Sequence, residues 1–176
     1  EGYLFPETYY FPKGISAEGI IVKMVDQFHA VFTPAWKKRA KTSGLSVHEV
    51  VTLASIVEKE TGKAEERPLI AAVFLNRLKR GMRLESDPTV IYGVNDFSGN
   101  LTRGHLKTPT AYNTYTIKGL PPGPIANPGK ASLEAVLYPS KEPYLYFVSK
   151  NDGSHHFSET FSEHQAMVRK YQLNQP

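Results

Sequence analysis

The sequence predicts an α+β fold, mostly helical, with one small antiparallel sheet and long ordered loops. Three observations carry this. Apolar residues recur at helical spacing near the start of the chain and again over 46–61 and 66–80. One strand–turn–strand pattern, "YLYFVSK", "NDG" and "SHHFSET", spans residues 144–160. Residues 82–130 are rich in Gly, Pro, Thr, Asn and Tyr, yet keep enough apolar and aromatic side chains to be ordered. The chain has 176 residues, 40% hydrophobic and 22% charged, which suits a single domain over 1–176 with a sizeable core.

In order along the chain, residues 1–14 are aromatic and punctuated by proline, so they are expected to be extended or turned. Residues 16–41 read as helix. Ser16 can cap it, and Ile20, Ile21, Met24, Val25, Phe28 and Phe32 supply the apolar repeat. Pro34 interrupts the run and starts a second short helix. The helix at 46–61 opens on a capping box, Ser46 with Glu49, and Gly62 is its expected stop. The next, about 66–80, carries Pro68 in its first turn and buries Leu69, Ile70, Val73, Phe74 and Leu78. Residues 82–130 are expected to be mostly irregular. A short helix at 131–138, the hairpin and a closing helix at 161–172 complete the chain.

Composition excludes several chemistries. The chain has no cysteine, so disulfides, thiolate nucleophiles and Cys-based zinc sites are absent. That fits an oxidising compartment. The net charge is +4, and the only basic cluster, "AWKKRAK" at 35–41, is too short for a nucleic-acid stripe; it reads as a solvated helix face. The longest apolar run, "LIAAVFL" at 69–75, is far short of the ~20 residues a membrane span needs. His155 and His156 are neighbours on a strand, so they point to opposite faces and do not share a metal ion; with His164 they match no metal spacing. No nucleophile elbow, phosphate loop or dinucleotide fingerprint is present. No metal or other cofactor is expected.

Two glutamates stand out in "LASIVEKETG", residues 53–62. On a helical wheel Glu58 lies at one margin of the apolar stripe, beside Val47 and Val51, and Glu60 at the other, beside Leu53 and Ile56. Partial burial of either would raise its pKa and suit it to general-acid work. The competing reading is a solvent-facing partner for Lys59, Lys63 or Arg67, and the wheel does not choose. A facing surface is offered by "KTPTAYNTYTIKGLPPGPIANPG", residues 107–129. Its "GLPPGP" is stiff, and its "TAYNTYT" supplies rings, hydroxyls and an amide of the kind that bind sugars. The same polar groups can instead satisfy the loop's own backbone. In "RLESDPTVIYG", residues 83–93, Asp87 is either a second carboxylate or a turn starter. An acid–base glutamate beside a polar aromatic groove points to a glycosidic bond.

These segments, with "EGYLFPETY" at the start and "PYLYFVSKNDGSHHFSET" at 143–160, resemble the catalytic domain of the YceG-like endolytic murein transglycosylase (MltG) family, nearly end to end. The resemblance implies a lysozyme-like arrangement, with the acid at a helix end facing a loop-lined groove. It implies a lyase that cuts peptidoglycan glycan strands internally between N-acetylmuramic acid and N-acetylglucosamine, leaving a 1,6-anhydro-muramyl end. Glu60 is the residue the resemblance makes catalytic, first as acid and then as base. Ser86, Asp87, Tyr92, Tyr112, Asn113, Thr114 and Tyr115 are the expected substrate contacts, from chemistry and motif position together. Glu58, Thr61 and Glu7 are expected supports.

The family usually carries an N-terminal membrane helix and a small LysM-like domain before this region. The chain is therefore expected to be a fragment, acting on the extracytoplasmic face of the bacterial inner membrane and touching the membrane only through the missing anchor. A monomer is the default. Cell-wall synthases are hypothetical partners, because a strand-cutting enzyme would work near growing glycan. Two rivals stand beside this reading. One is a hydrolytic muramidase that uses Asp87 or Glu7 as its second carboxylate. The other is a non-catalytic glycan-binding module in which Glu60 is a salt-bridge partner.

Overall fold

The helix that carries both glutamates is the centre of the molecule, not an amphipathic flank. The computed structural model describes residues 1–95 and 97–173. Asp96 of the 82–130 stretch and the end of the expected domain at 174–176 lie outside the described residues. The elements run α1 (Ala17–Val31), α2 (Pro34–Thr42), α3 (Val47–Glu60), a 3₁₀ turn (Ala64–Glu66), α4 (Arg67–Lys79), α5 (Asp87–Gly93), α6 (Arg103–Lys107), α7 (Lys130–Leu137), β1 (Tyr146–Ser149), β2 (His155–Ser158) and α8 (Phe161–Gln172). The α+β expectation holds: helices surround one core, and the two strands form an antiparallel hairpin.

Helix α3 starts on its capping box, with Ser46 and Glu49 each satisfying a backbone N–H of the other. Every residue from Val50 to Val57 is buried. The expected stripe with two margins is therefore corrected. Helices α2, α4, α5 and α7 all touch α3, and a helix enclosed on all sides is apolar all round. Its end is also corrected. Gly62 is not the stop; Thr61 turns extended at φ −145°, ψ 141° and ends the helix itself.

One face of α3 ties down the proline-rich loop at intervals. The His48 ring bonds the Pro122 carbonyl at 2.9 Å. The Ser55 hydroxyl accepts the Ile125 N–H, and the Glu58 carboxylate accepts the Gly129 N–H. The N-terminal segment lies on the same loop, because the Asn127 side-chain oxygen accepts the N–H groups of Gly2 and Leu4. Gly2 is needed there: its φ is +87°, and a Cβ would fall 2.3 Å from Pro124 Cγ.

The stretch 82–130 is less irregular than its composition suggests. Asp87 does not start a turn. It is the first residue of α5, with Pro88 in the first turn where its missing N–H costs nothing. Helix α6 opens on a second capping box, Thr102 with His105. Both helices are too short to show periodicity, which is why composition favours loop.

The hairpin pairs Tyr146 with Ser158 and Phe147 with Phe157. Directly opposed residues share a face. The Phe147 face packs edge-on against Phe74 of α4, and the Tyr146 face receives α8. The two adjacent histidines are parted accordingly: His155 bonds Glu66, and His156 lies by Tyr171. Among the described residues no helix is long and apolar enough to cross a membrane.

Candidate active site

The segments that meet the end of α3 decide which glutamate faces open space. Glu58 points to α7. Its Oε2 accepts the Gly129 N–H at 3.0 Å and the Ser132 hydroxyl at 2.6 Å, and Arg67 stands 3.8 Å from its other oxygen. A carboxylate there stabilises the N-terminus of α7. Glu58 is thus a joint between α3 and α7. Glu58→Gln is expected to lower stability by about 1 kcal/mol while products still form. Thermal melting and a glycan-cleavage assay on the same protein check both halves.

Glu60 opens into a cleft of about 360 Å³. The walls are built by Arg77 of α4, the run Leu84, Glu85 and Asp87, Tyr115 of the 107–129 loop, Phe147 of β1 and His164 of α8. The Glu60 Oε1 accepts the Ser86 hydroxyl at 2.5 Å. Burial pushes the Glu60 carboxyl up from 4.5 to about 7. The Ser86 hydrogen bond pulls the other way, and the negative charge of Asp87 adds to the rise. A carboxyl in this state is half protonated near neutral pH.

Ser86 is held in place by a buried relay. Its N–H donates to Thr114 Oγ1 at 3.0 Å, and Thr114 exchanges a hydrogen bond with Thr89 at 2.8 Å. Glu85, just before it, sits at φ +53°, a conformation L residues rarely adopt. Its N–H to the Thr114 carbonyl and its ion pair with Arg77 at 3.2 Å hold it there. The strained residue turns Ser86 inward and sets Asp87 on the cleft wall. Asp87 in turn accepts the Tyr115 hydroxyl at 2.6 Å. Burial and that acceptor carboxylate raise the Tyr115 pKa, so the phenol stays protonated as the donor.

The expected contacts divide three ways. Ser86, Asp87 and Tyr115 gather around Glu60. Asn113 and Thr114 do not reach the cleft, and their reading as substrate contacts is corrected. Both are 0% exposed. The Asn113 amide donates to the carbonyls of His105, Leu106 and Thr108, and Thr114 supports Ser86. A buried amide must bond something, and the loop backbone is nearest. Tyr92 and Tyr112 pack together, tilted at 54° with ring centroids 4.7 Å apart, beside the N-terminus, where the Tyr92 hydroxyl donates to Glu1. They do not line the Glu60 cleft.

The expected supports also move apart. Thr61 donates to Glu66, whose carboxylate grips both the backbone N–H and the ring of His155. Burial alone would raise the Glu66 pKa, but the His155 hydrogen bonds outweigh it and hold the carboxyl below its usual range. Thr61 thereby fixes the hairpin against the end of α3. Glu7 accepts from Gln27 in a separate groove on α1. It is not a second carboxylate of this cleft.

Sequence reasoning missed Arg77, Glu85 and Phe147. Arg77 carried a signal: with Ile70, Val73 and Phe74 it falls on the buried face of α4, where a cation must find partners. It does so, donating to the carbonyls of Leu145, Arg83 and Leu84. His164 lines the cleft too, half-buried, its pKa drawn down by burial and by the nearby Arg77.

A single desolvated glutamate at a helix end, bonded by a serine and set in a polar cleft, is an arrangement chemically able to give and take a proton. The YceG-like family model matches residues 1–170, and the chain belongs to that family. It is 42% identical over 172 residues to the "Endolytic murein transglycosylase" of Bacillus subtilis, covering 97% of this chain and 48% of the relative. Identity to the protein of the same name from Streptococcus pneumoniae (strain D39) is 33% over 177 residues, covering 97% of this chain and 32% of the relative. A crystal structure of a YceG-like protein from Listeria monocytogenes superimposes with a TM-score of 0.86 at 42% identity, covering 94% of this chain and 54% of that one. The chain spans about half the length, or less, of the relatives it matches.

Proposed function

We propose that the chain is the catalytic part of an endolytic peptidoglycan lytic transglycosylase, with Glu60 as its acid and then its base. The observation that carries this is the Glu60 carboxyl itself, desolvated in an open cleft with a pKa raised to about 7. Protonated, it gives its proton to the glycosidic oxygen that leaves between N-acetylmuramic acid and N-acetylglucosamine. The C1–O bond breaks, and positive charge develops at C1 and the ring oxygen. The carboxylate left behind takes the proton of the sugar's own C6 hydroxyl, and that oxygen closes on C1. The product is a 1,6-anhydro end, and Glu60 is reprotonated for the next turn. Because the nucleophile is internal, it gains from proximity and no water has to be activated.

Asp87 serves this chemistry without touching the proton. Its negative charge adds to the burial that raises the Glu60 pKa and favours the cationic sugar, together with the substrate's N-acetyl group as a neighbouring nucleophile. The relatives' names support the substrate class, and the reading places the enzyme outside the cytoplasmic membrane, where peptidoglycan lies. Anchoring there through an upstream segment, a monomeric state and an association with cell-wall synthases belong to the same proposal. Failure of the full-length protein to co-purify with any synthase from membranes would count against the last.

A second reading has one specific support: Asp87 and Glu85 line the same cleft as Glu60. A hydrolase needs such a partner to hold water, at roughly 6.5–9.5 Å in inverting enzymes. Mass spectrometry of products from purified glycan strands decides. Products one water lighter than hydrolytic ones support the transglycosylase; reducing ends support the hydrolase. Asp87→Asn sharpens the test. In the lytic reading it keeps the anhydro product, and the alkaline limb of the rate profile moves to lower pH because Glu60 loses a raising charge. In the hydrolytic reading it removes activity by a factor of about 10² or more.

A further inference from the structure

Helix α8 is the least buried helix that reaches the cleft. It has no buried residue and packs mainly on the hairpin. Yet it places His164 in the cleft wall, where the imidazole stacks on Tyr146 at 5.2 Å and 22°. Tyr146 is backed by the Arg77 guanidinium at 5.1 Å. Tyr146 is therefore fixed from behind, and it fixes His164. The His164 Nδ1 is buried without a hydrogen-bond partner among the described residues.

The same histidine lines a second, shallower groove along α8. Phe161, Gln165, Val168 and Leu173 form the rest of that surface with Arg169 at its edge. Phe161 is 57% exposed and stands 5.8 Å from Tyr146 and 6.3 Å from His164. His164 is thus the shared wall of two grooves, one holding the acid and one carrying an open aromatic ring. Exposed aromatic rings bind sugars through the apolar face of the pyranose, and flanking polar groups bond its rim. A substrate cut inside a long strand must continue past the cleaved bond on both sides.

We propose that α8 supplies an outer glycan subsite: Phe161 stacks a sugar ring of the bound strand, and His164 hydrogen-bonds the strand where the acid cleft passes into the α8 groove. This rests on the reading of the Glu60 cleft as a glycan site. The occupant is the same strand that Glu60 cuts, because the groove adjoins that cleft, with His164 lining both. Neither residue touches the transferred proton, so both are binding residues and their effect falls on affinity.

The test is calorimetric binding of purified N-acetylglucosamine–N-acetylmuramic acid oligosaccharides of two, four, six and eight sugars. The protein is this chain with Glu60→Gln, which prevents turnover. Affinity is expected to climb with length. Adding Phe161→Ala, on the surface and without a fold to break, is expected to weaken the longest oligosaccharide about tenfold, the loss of one aromatic stacking contact. His164→Phe keeps the ring against Tyr146 but removes both nitrogens, and is expected to weaken it about fivefold. Unchanged affinity for the longest oligosaccharide in both variants overturns the subsite while the Glu60 reading stands. No binding of any length by the Glu60→Gln protein, with no cleavage by the wild type, overturns both.

Discussion

Glu60→Gln is expected to abolish anhydro-product formation, lowering the rate by about 10²–10⁴, the span that one positioned acid–base group contributes. The amide keeps the shape and can still accept the Ser86 hydroxyl, so the loss reports the missing proton and not a collapsed cleft. In the proposed mechanism, activity requires the protonated carboxyl. The rate constant for free enzyme and substrate is therefore expected to fall as pH rises through about 7.

The same substitution is expected to change stability in the opposite sense. The native Glu60 pKa of about 7 lies above the ordinary 4.5, so between those values the folded state holds a proton that the unfolded chain has released. The stabilising contribution of this group is complete below about pH 4.5 and is lost as pH rises through about 7. Above that, the native protein carries a charge in a desolvated site. Glutamine has no charge to bury. Melting temperatures of the two proteins are expected to coincide near pH 4 and to diverge by pH 8, with the variant more stable. A variant that is less stable at both pH values would show that Glu60 is a structural partner, as a non-catalytic binding module would have it.

Arg77→Met is expected to be the most damaging substitution to the fold of the cleft. The methionine matches the length of the stem, but three carbonyls, those of Leu145, Arg83 and Leu84, lose their donor. Two of those bonds lie in buried surroundings. The ion pair to Glu85 adds less, because Glu85 is half in solvent. Orphaned buried acceptors set the size of the effect, about 3–5 kcal/mol, or a melting temperature lower by roughly 10 °C for a chain of this size. Activity falls with it. Arg77 joins the hairpin to the 83–85 segment, and that segment aims Ser86 at Glu60. A denaturation curve with wild-type slope and midpoint would contradict this role.

Local physics was legible in the sequence. Helix ends follow from caps and prolines: Ser16, Thr33, Ser46 and Thr160 each bond the backbone of the helix they precede. The hairpin follows from a short β-rich run on either side of "NDG", though its paired core is only Tyr146–Ser149 and His155–Ser158. The two short helices at 87–93 and 103–107 escaped, because one or two turns give no period to read. The polar loop at 107–129 was legible as ordered, but not as to purpose. Only the fold reveals that Asn113 and Thr114 face inward while Tyr115 faces the cleft.

The choice between Glu58 and Glu60 marks the boundary. The sequence by itself determined that α3 ends in two carboxylates at different angles around its axis, and family resemblance pointed to the second. What those angles face was decided by chain segments far away. Glu58 meets the start of α7, more than seventy residues on, where the Gly129 N–H and the Ser132 hydroxyl donate to its carboxylate. Glu60 meets the wall of a cleft, where burial raises its pKa, the Ser86 hydrogen bond opposes the rise and the charge of Asp87 adds to it. A pKa is a property of surroundings, and for these residues the surroundings are assembled only when the helices and loops come together.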